Sequence, residues 1–195
     1  MISTQQEFLA DGFGQQFPWV DLANSEQWDG FGRLTDHLSN PQWLALFLRH
    51  WDIRPRSTRA LSAKGIAQLR SLLRSIAEKL AAGRNLDSRD LDAINSALDV
   101  PVRQEIERSG SHLHKRLVPL RSDWPWVRAQ IAASLADMLA GHRHDRLKIC
   151  ANPGCRWVFY DLTKGNTRRW CDDRRCGNRD RVRRARAAVR HQPKA

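Results

Sequence analysis

The chain has 195 residues, which is enough for one well-buried core with a small appendage and excludes a large multidomain enzyme. Its 33 Lys and Arg outnumber its 21 Asp and Glu, and the formal charge is +12. The excess is local: residues 143–195 carry 16 basic and 5 acidic side chains, a net charge of +11, whereas residues 1–142 are almost neutral. A near-neutral body with a strongly basic tail predicts a polyanionic partner for the tail.

The composition is that of a folded protein, because 41% of the residues are hydrophobic and eight are Trp. No apolar run approaches the roughly 18 to 20 residues that span a bilayer. The first eleven residues lack the basic-then-apolar order of a signal peptide. We therefore expect a soluble, cytoplasmic protein without a membrane partner.

The first predicted elements lie in residues 17–55. Residues 17–24 are a short apolar segment that ends in turn-forming residues, which indicates a strand or a buried loop, and Ser25 is a candidate cap for a following helix. Asn40 and Pro41 mark the start of a further helix, with Pro at its first position, and Pro55 ends that segment.

The later elements follow from helical periodicity and from turn signals. A Ser-Gly pair between two half-apolar runs predicts an antiparallel hairpin. The predicted elements are a long helix over residues 59–82, a helix from Asp87 or Ser88 to Pro101, strands over 102–108 and 112–118, and a helix from Pro125 to Gly141.

Residues 142–146 are polar and basic and give the best domain boundary. The sequence therefore predicts a helical domain with a hairpin over residues 1–142 and a smaller unit over 143–195. The fold class is mainly α, with an α+β character from the hairpin.

All four cysteines fall in the second unit, as two close pairs separated by 15 residues: Cys150 with Cys155, and Cys171 with Cys176. Two such pairs fit one tetrahedral Zn²⁺ held by four thiolates, which leaves no open position for catalysis. One structural zinc ion is the leading prediction. A redox-switched site or reactive dithiol, and buried cysteines without a metal, are the alternatives.

Aromatic side chains lie between the two cysteine pairs. We expect Trp157, Phe159 and Trp170 to cover the metal and to form a small core. The same side chains, with Tyr160, are candidate platforms for unstacked bases of RNA, although core packing is favoured.

The sequence Cys176-Gly177-Asn178-Arg179 after paired cysteines resembles the CGNR zinc-finger family. The match includes Cys150-Ala-Asn-Pro-Gly-Cys155, Arg168-Arg169-Trp170-Cys171 and a basic helix after Arg179, and it covers residues 148–186 tightly. Proteins of that family carry an N-terminal ABATE domain. Val20-Asp21-Leu22-Ala23-Asn24-Ser25 is similar to its hydrophobic-Asp-x-x-Asn-Thr motif, with Ser in place of Thr, and residues 15–142 match loosely. The resemblance implies a bacterial transcription regulator related to stress, with RNA binding as an alternative.

Arginines dominate the predicted helix after Asn178. Arg179, Arg183, Arg186 and Arg190 follow steps of four, three and four and share one face, while Val182, Ala185 and Val189 form an apolar stripe that we expect to rest on the zinc module. Guanidinium groups pair with phosphates and guanine edges, so DNA is the expected partner and RNA a possible one. A solvated tail, or an acidic protein or membrane surface as partner, are the alternatives. The predicted nucleic-acid-binding residues are Arg168, Arg169, Arg174, Arg175, Arg179, Arg181, Arg183, Arg184, Arg186 and Arg190.

Residues 1–142 contain no Gly-rich phosphate loop, no HExxH and no nucleophile elbow. Asp21 and Asn24 are motif residues that either bond locally or contact a ligand, and the local role is favoured. The leading hypothesis is a zinc-dependent DNA-binding regulator, not an enzyme, whose first domain senses a small-molecule effector. The alternatives are an RNA-binding protein and an enzyme whose active site is hidden in residues 1–142.

Overall fold

The computed structural model describes residues 17–55, 63–141 and 144–190, which form a mixed α+β fold. The predicted fold class is confirmed. Three antiparallel two-stranded hairpins accompany the helices in these residues. The helices are α1 (Pro18–Ala23), α2 (Pro41–His50), α3 (Ala63–Ala81), α4 (Ser88–Leu98), α5 (Trp124–Ala140) and α6 (Asn178–Arg190). The strands are β1 (Glu26–Trp28), β2 (Leu34–Asp36), β3 (Val102–Ser109), β4 (His112–Pro119), β5 (Leu147–Ile149) and β6 (Val158–Tyr160).

The first element differs from the prediction, because α1 is a helix and not a strand or loop. Pro18 lies at its first position, and residues 19–23 are all buried. A helix of six residues whose residues 19–23 are all buried shows no amphipathic period, which explains why the pattern did not reveal it. The predicted helix after Ser25 is also wrong, since β1 follows and pairs with β2.

Helices α2 and α4 begin where local chemistry predicts. The Asn40 side chain accepts a hydrogen bond from the backbone N–H of Gln42 at 2.9 Å, next to Pro41 at the first helical position of α2. Asp87 and Asp90 form a reciprocal capping box at the start of α4. The predicted helix over 59–82 agrees with α3, although residues 56–62 lie outside the described ranges.

The predicted β3–β4 hairpin is confirmed, with Ser109 opposite His112 across a turn that contains Gly110 at φ +60°. Most of its residues are exposed. It therefore contributes little to the core.

The hydrophobic core centres on α1, which packs against α3, α5 and β6. Trp19 and Leu22 of α1 are fully buried, as are Trp43 of α2 and Leu135 of α5. The same apolar cluster continues into Leu147, Val158 and the other buried residues of the β5–β6 hairpin. Residues before and after the 142–143 segment, which lies outside the described ranges, thus share one apolar interior.

Candidate zinc centre and nucleic-acid interface

The β5–β6 hairpin presents the first cysteine pair. Cys150 follows β5, and its backbone N–H donates to the Trp157 carbonyl at 2.8 Å, which extends the ladder to the end of the loop. Asn152 shapes that loop: its side-chain oxygen accepts from the Gly154 N–H at 3.1 Å, and its carbonyl accepts from the Cys155 N–H at 2.9 Å. The turn brings Cys155 back beside Cys150.

A π-helical turn, Asp173–Gly177, presents the second pair. The Asp172 carboxylate accepts from the Arg175 N–H at 2.8 Å, and the Asp172 carbonyl accepts from the Cys176 N–H at 2.9 Å. Asn178, the first residue of α6, follows directly. The position of Cys176 therefore determines where α6 begins.

The four sulfur atoms lie within 4.8 Å of one another, and all four side chains are buried. Sγ of Cys171 is 3.7 Å from that of Cys155 and 3.8 Å from that of Cys176. A tetrahedron with Zn–S bonds of about 2.3 Å has edges of about 3.8 Å, so the residues fit the metal.

One structural zinc ion at these four cysteines is therefore confirmed as the cofactor. A set of four thiolates completes the tetrahedral shell, so the ion stabilises the fold and offers no site for water or substrate.

Aromatic residues of the insert pack as predicted. Trp157, Phe159 and Tyr160 are buried, and Trp170 packs against the same cluster with part of its ring exposed. The Arg168 guanidinium lies 5.0 Å from the Phe159 ring centroid. Core packing, and not base stacking, thus accounts for the three buried rings.

Asp161 was not singled out from the sequence, yet it organises the loop between the cysteine pairs. Its carboxylate is fully buried and accepts from Lys148 Nζ at 2.8 Å, from the Thr163 hydroxyl at 2.6 Å and from the Arg168 N–H at 2.8 Å. Burial raises the pKa of this carboxyl, but the Lys148 ammonium and the Thr163 hydrogen bonds outweigh it, and the pKa falls below its usual range. An Asp two residues before a Thr is a weak turn signal, and its cationic partner Lys148 is set by the fold.

Asn24 joins the N-terminal part to the zinc hairpin. Its fully buried amide donates to the Val158 carbonyl at 2.8 Å and accepts from the Val158 N–H at 2.8 Å. The Asn24 side chain thereby satisfies the backbone N–H and carbonyl of Val158 at the outer edge of β6, as a neighbouring strand would. The motif residue thus binds backbone 134 positions away in the chain.

The other residues of the motif also have protein partners. Asp21 accepts a hydrogen bond from the Trp51 indole at 2.9 Å, and burial raises the pKa of its carboxyl to about 7. The Ser25 hydroxyl accepts from Arg70, whose guanidinium also pairs with Asp36 at 2.5 Å. Asp21 and Asn24, the candidate ligand or motif residues, are buried, and these hydrogen bonds join residues 30 and 134 positions apart, in contrast to the local bonds that the sequence favoured.

The loop between β1 and β2 docks on the zinc centre. Gly30 donates its N–H to the Gly154 carbonyl at 3.0 Å, and its carbonyl accepts from the Asn152 amide at 3.2 Å. Arg179 donates to the Asp29 carbonyl at 2.7 Å. Gly30 has a φ of +88°, which L side chains rarely adopt, and a Cβ there would displace the Arg179 guanidinium, so glycine is favoured at this position.

The basic helix α6 projects from the zinc centre, and residues 181–187 are all exposed. The predicted apolar stripe does not rest on the zinc module, since Val182 is 42% exposed and Ala185 is exposed. The contacts of α6 are with the Asp173–Gly177 turn, so its first turn, and not its side, is anchored to the zinc centre. Val189 and the side chain of Arg190 lie outside the residues whose side chains are described.

The predicted arginines differ in their surroundings. Arg183 and Arg184 both pair with Asp180, a buried residue of the first turn of α6, and Arg181 pairs with Asp173 at 3.2 Å. Arg179 is half-buried against the β1–β2 loop. Arg169, Arg174, Arg175 and Arg186 are exposed, and Arg168 is half-buried.

A second residue that sequence reasoning missed is Phe31, which is 79% exposed in the β1–β2 loop. The Arg179 guanidinium lies 4.3 Å from its ring centroid. An aromatic residue between two glycines, Gly30 and Gly32, is the local signal that marks such an exposed turn. Its nearness to α6 is invisible in the sequence, because 147 residues separate Phe31 from Asn178.

Comparison with protein families assigns most of the chain. The ABATE model, described as "Putative stress-induced transcription regulator", matches residues 17–142, and the CGNR zinc-finger model matches residues 146–188. No curated protein matches the sequence. Among the described helices, none combines the length and apolar character that a bilayer span requires. The chain therefore belongs to the ABATE family and carries a CGNR zinc finger after its ABATE domain.

Proposed function

We propose that the protein is a zinc-dependent transcription regulator that binds duplex DNA through α6 and the adjoining zinc loops. The observation that carries the proposal is the exposed segment 181–187, which holds four arginines and no acidic residue. Asp173 and Asp180 pair with three of these arginines but offset only two of the four positive charges. A polyanion can neutralise the remaining charge, and the major groove of DNA has the width to admit a projecting helix.

The zinc ion positions this helix. Cys176 lies in the turn that precedes Asn178, so metal binding fixes both the origin and the direction of α6. Zinc and four thiolates contribute a charge of −2 and do not create the positive field. Their contribution is to orient the arginines.

The contacts divide the arginines into two roles. Arg183 and Arg184 are held in place by Asp180 and can exchange that carboxylate for phosphate, while Arg186 extends the same side of the helix. Arg179 holds the β1–β2 loop and is assigned a positioning role. Phosphate contacts fix register, and base edges in the groove supply the sequence preference.

Fluorescence anisotropy with duplex DNA and single-stranded RNA over a salt series tests the proposal. We expect log affinity for duplex DNA to fall linearly with log salt. Arg183→Ala should weaken binding and reduce that slope by about one. Leu113→Ala, an exposed position on β4, is the control. Salt-independent affinity for both nucleic acids would refute the proposal, and stronger binding to single-stranded RNA would favour the RNA-binding alternative.

Regulation through the ABATE domain is part of the proposal. The Asn24 and Gly30 contacts link residues 17–142 to the zinc finger, so a small-molecule effector that shifts α1 or the β1–β2 loop would alter the orientation of α6. Calorimetry and DNA affinity measured with and without candidate metabolites test it. Unchanged DNA affinity with a bound metabolite would contradict coupling.

A further inference from the structure

A groove of about 730 Å³ separates α6 from the β1–β2 loop. One wall is α6, with Val182, Arg183 and Arg186, and the other is the loop with Phe31. Arg179 bridges the two walls, since its guanidinium lies 4.3 Å from the Phe31 ring centroid and donates to the Asp29 carbonyl. The face of α6 that carries the predicted row of arginines therefore looks into a groove whose other side is aromatic.

Hydrogen bonds of the loop hold the Phe31 backbone at this position. Its backbone N–H donates to the Asp29 carboxylate at 2.7 Å, and the loop closes through a bond from the Asp29 N–H to the Arg33 carbonyl at 3.0 Å. The Gly30 contacts with Gly154 and Asn152 then fasten the loop to the zinc hairpin. Because these bonds fix the backbone, binding has to order only the side-chain torsions of the Phe31 ring, which is 79% exposed.

Single exposed apolar side chains are common and do not by themselves indicate a binding site. Phe31 differs because arginines of α6 lie across the groove from it. These arginines can neutralise phosphates, and the flat Phe31 ring can stack on a base. Proteins that hold a nucleic-acid strand combine these two elements, and stacking tolerates any base because each has a π-face.

We propose that the groove receives one strand of the bound nucleic acid, with phosphates on Arg183 and Arg186 and a base stacked on Phe31. This inference rests on the proposed nucleic-acid binding and adds a contact from the ABATE domain to it. In a duplex the stacked base comes from a partly unstacked step, as with other apolar wedges. The ABATE domain thus contributes directly to recognition.

Fluorescein-labelled DNA of mixed sequence, as a duplex and as its separated strands, is the probe. Phe31→Ala should lower the affinity for the single strand about 5- to 150-fold, which corresponds to the loss of one base stack. The salt slope should stay unchanged, because no charge is removed. Phe31→Trp should restore binding, whereas Phe31→Leu, which keeps apolar volume without a π-face, should not.

Two controls separate the possible failures. Zinc content and the thermal midpoint must match the wild type, and Leu113→Ala supplies a second exposed apolar position, 62% exposed and away from the groove. Suppose that Arg183→Ala weakens binding but that Phe31→Ala has the same affinity as Leu113→Ala for both the duplex and the single strand. The inference about Phe31 is then wrong, and the proposed function stands. If the wild type binds neither probe, both fail.

Discussion

Replacing Asn24 tests the contact between the ABATE region and the zinc-finger region of the chain. Asn24→Ala leaves the Val158 N–H and carbonyl without their partner in a fully buried place. Each orphaned group costs about 1–3 kcal/mol, so the free energy of unfolding should fall by about 2–6 kcal/mol. That is a large share of the roughly 5–15 kcal/mol that stabilises a typical domain.

Urea denaturation followed by circular dichroism measures the effect. Asn24→Asp keeps the acceptor for the Val158 N–H but places a second oxygen against the Val158 carbonyl, so it should not restore stability. Asn95→Ala, at an exposed position of α4, is the matched control. An Asn24→Ala midpoint equal to that of the Asn95 control would refute the docking role of this residue.

Three further outcomes follow from the site. Burial raises the pKa of Asp21 from its ordinary value of 3.8 to about 7 in the folded protein. Between pH 3.8 and about 7, the Asp21 carboxyl is therefore protonated in the folded state and ionised in the unfolded chain. Stability should therefore fall as pH rises from about 4 to 7, by about 4 kcal/mol, and Asp21→Asn should flatten this part of a pH series of unfolding free energies. A Cβ on residue 154 would lie 2.8 Å from the Gly30 carbonyl oxygen. Gly154→Ala should thus displace the β1–β2 loop and quicken its amide exchange, with zinc content unchanged; unaltered exchange would argue against the contact. Cys171→Ser should release zinc, as measured by metal analysis, and lower the thermal midpoint, whereas retained stoichiometric zinc would contradict the four-cysteine site.

Local chemistry made much of the architecture predictable. The Asn40 and Asp87 caps begin helices through hydrogen bonds to residues only two or three positions away. The four cysteines were predictable for a similar reason, because each pair turns back on the metal within its own short loop. The β3–β4 hairpin likewise depends on one turn, at Gly110.

Elements whose form depends on distant partners were not predictable. Residues 18–23 form a helix because α3, α5 and β6 bury them from all sides, which removes the period that marks an amphipathic helix. The apolar stripe of α6 has the right spacing for packing, yet Val182 faces solvent because the first turn, and not the helix side, anchors α6 to the zinc centre. Spacing identifies a face but not what covers it.

The sequence by itself determined the chemistry of this protein: a four-thiolate zinc site, a near-neutral body and a tail of net charge +11. Residue type and short spacing decide these properties. Only the tertiary structure decided how they are assembled, since Asn24 meets Val158 and Phe31 meets Arg179 across more than 130 residues of chain. Such contacts arise when separate elements bury one common core, and no local pattern records them. They place an aromatic loop of the ABATE domain opposite the arginines of the zinc finger.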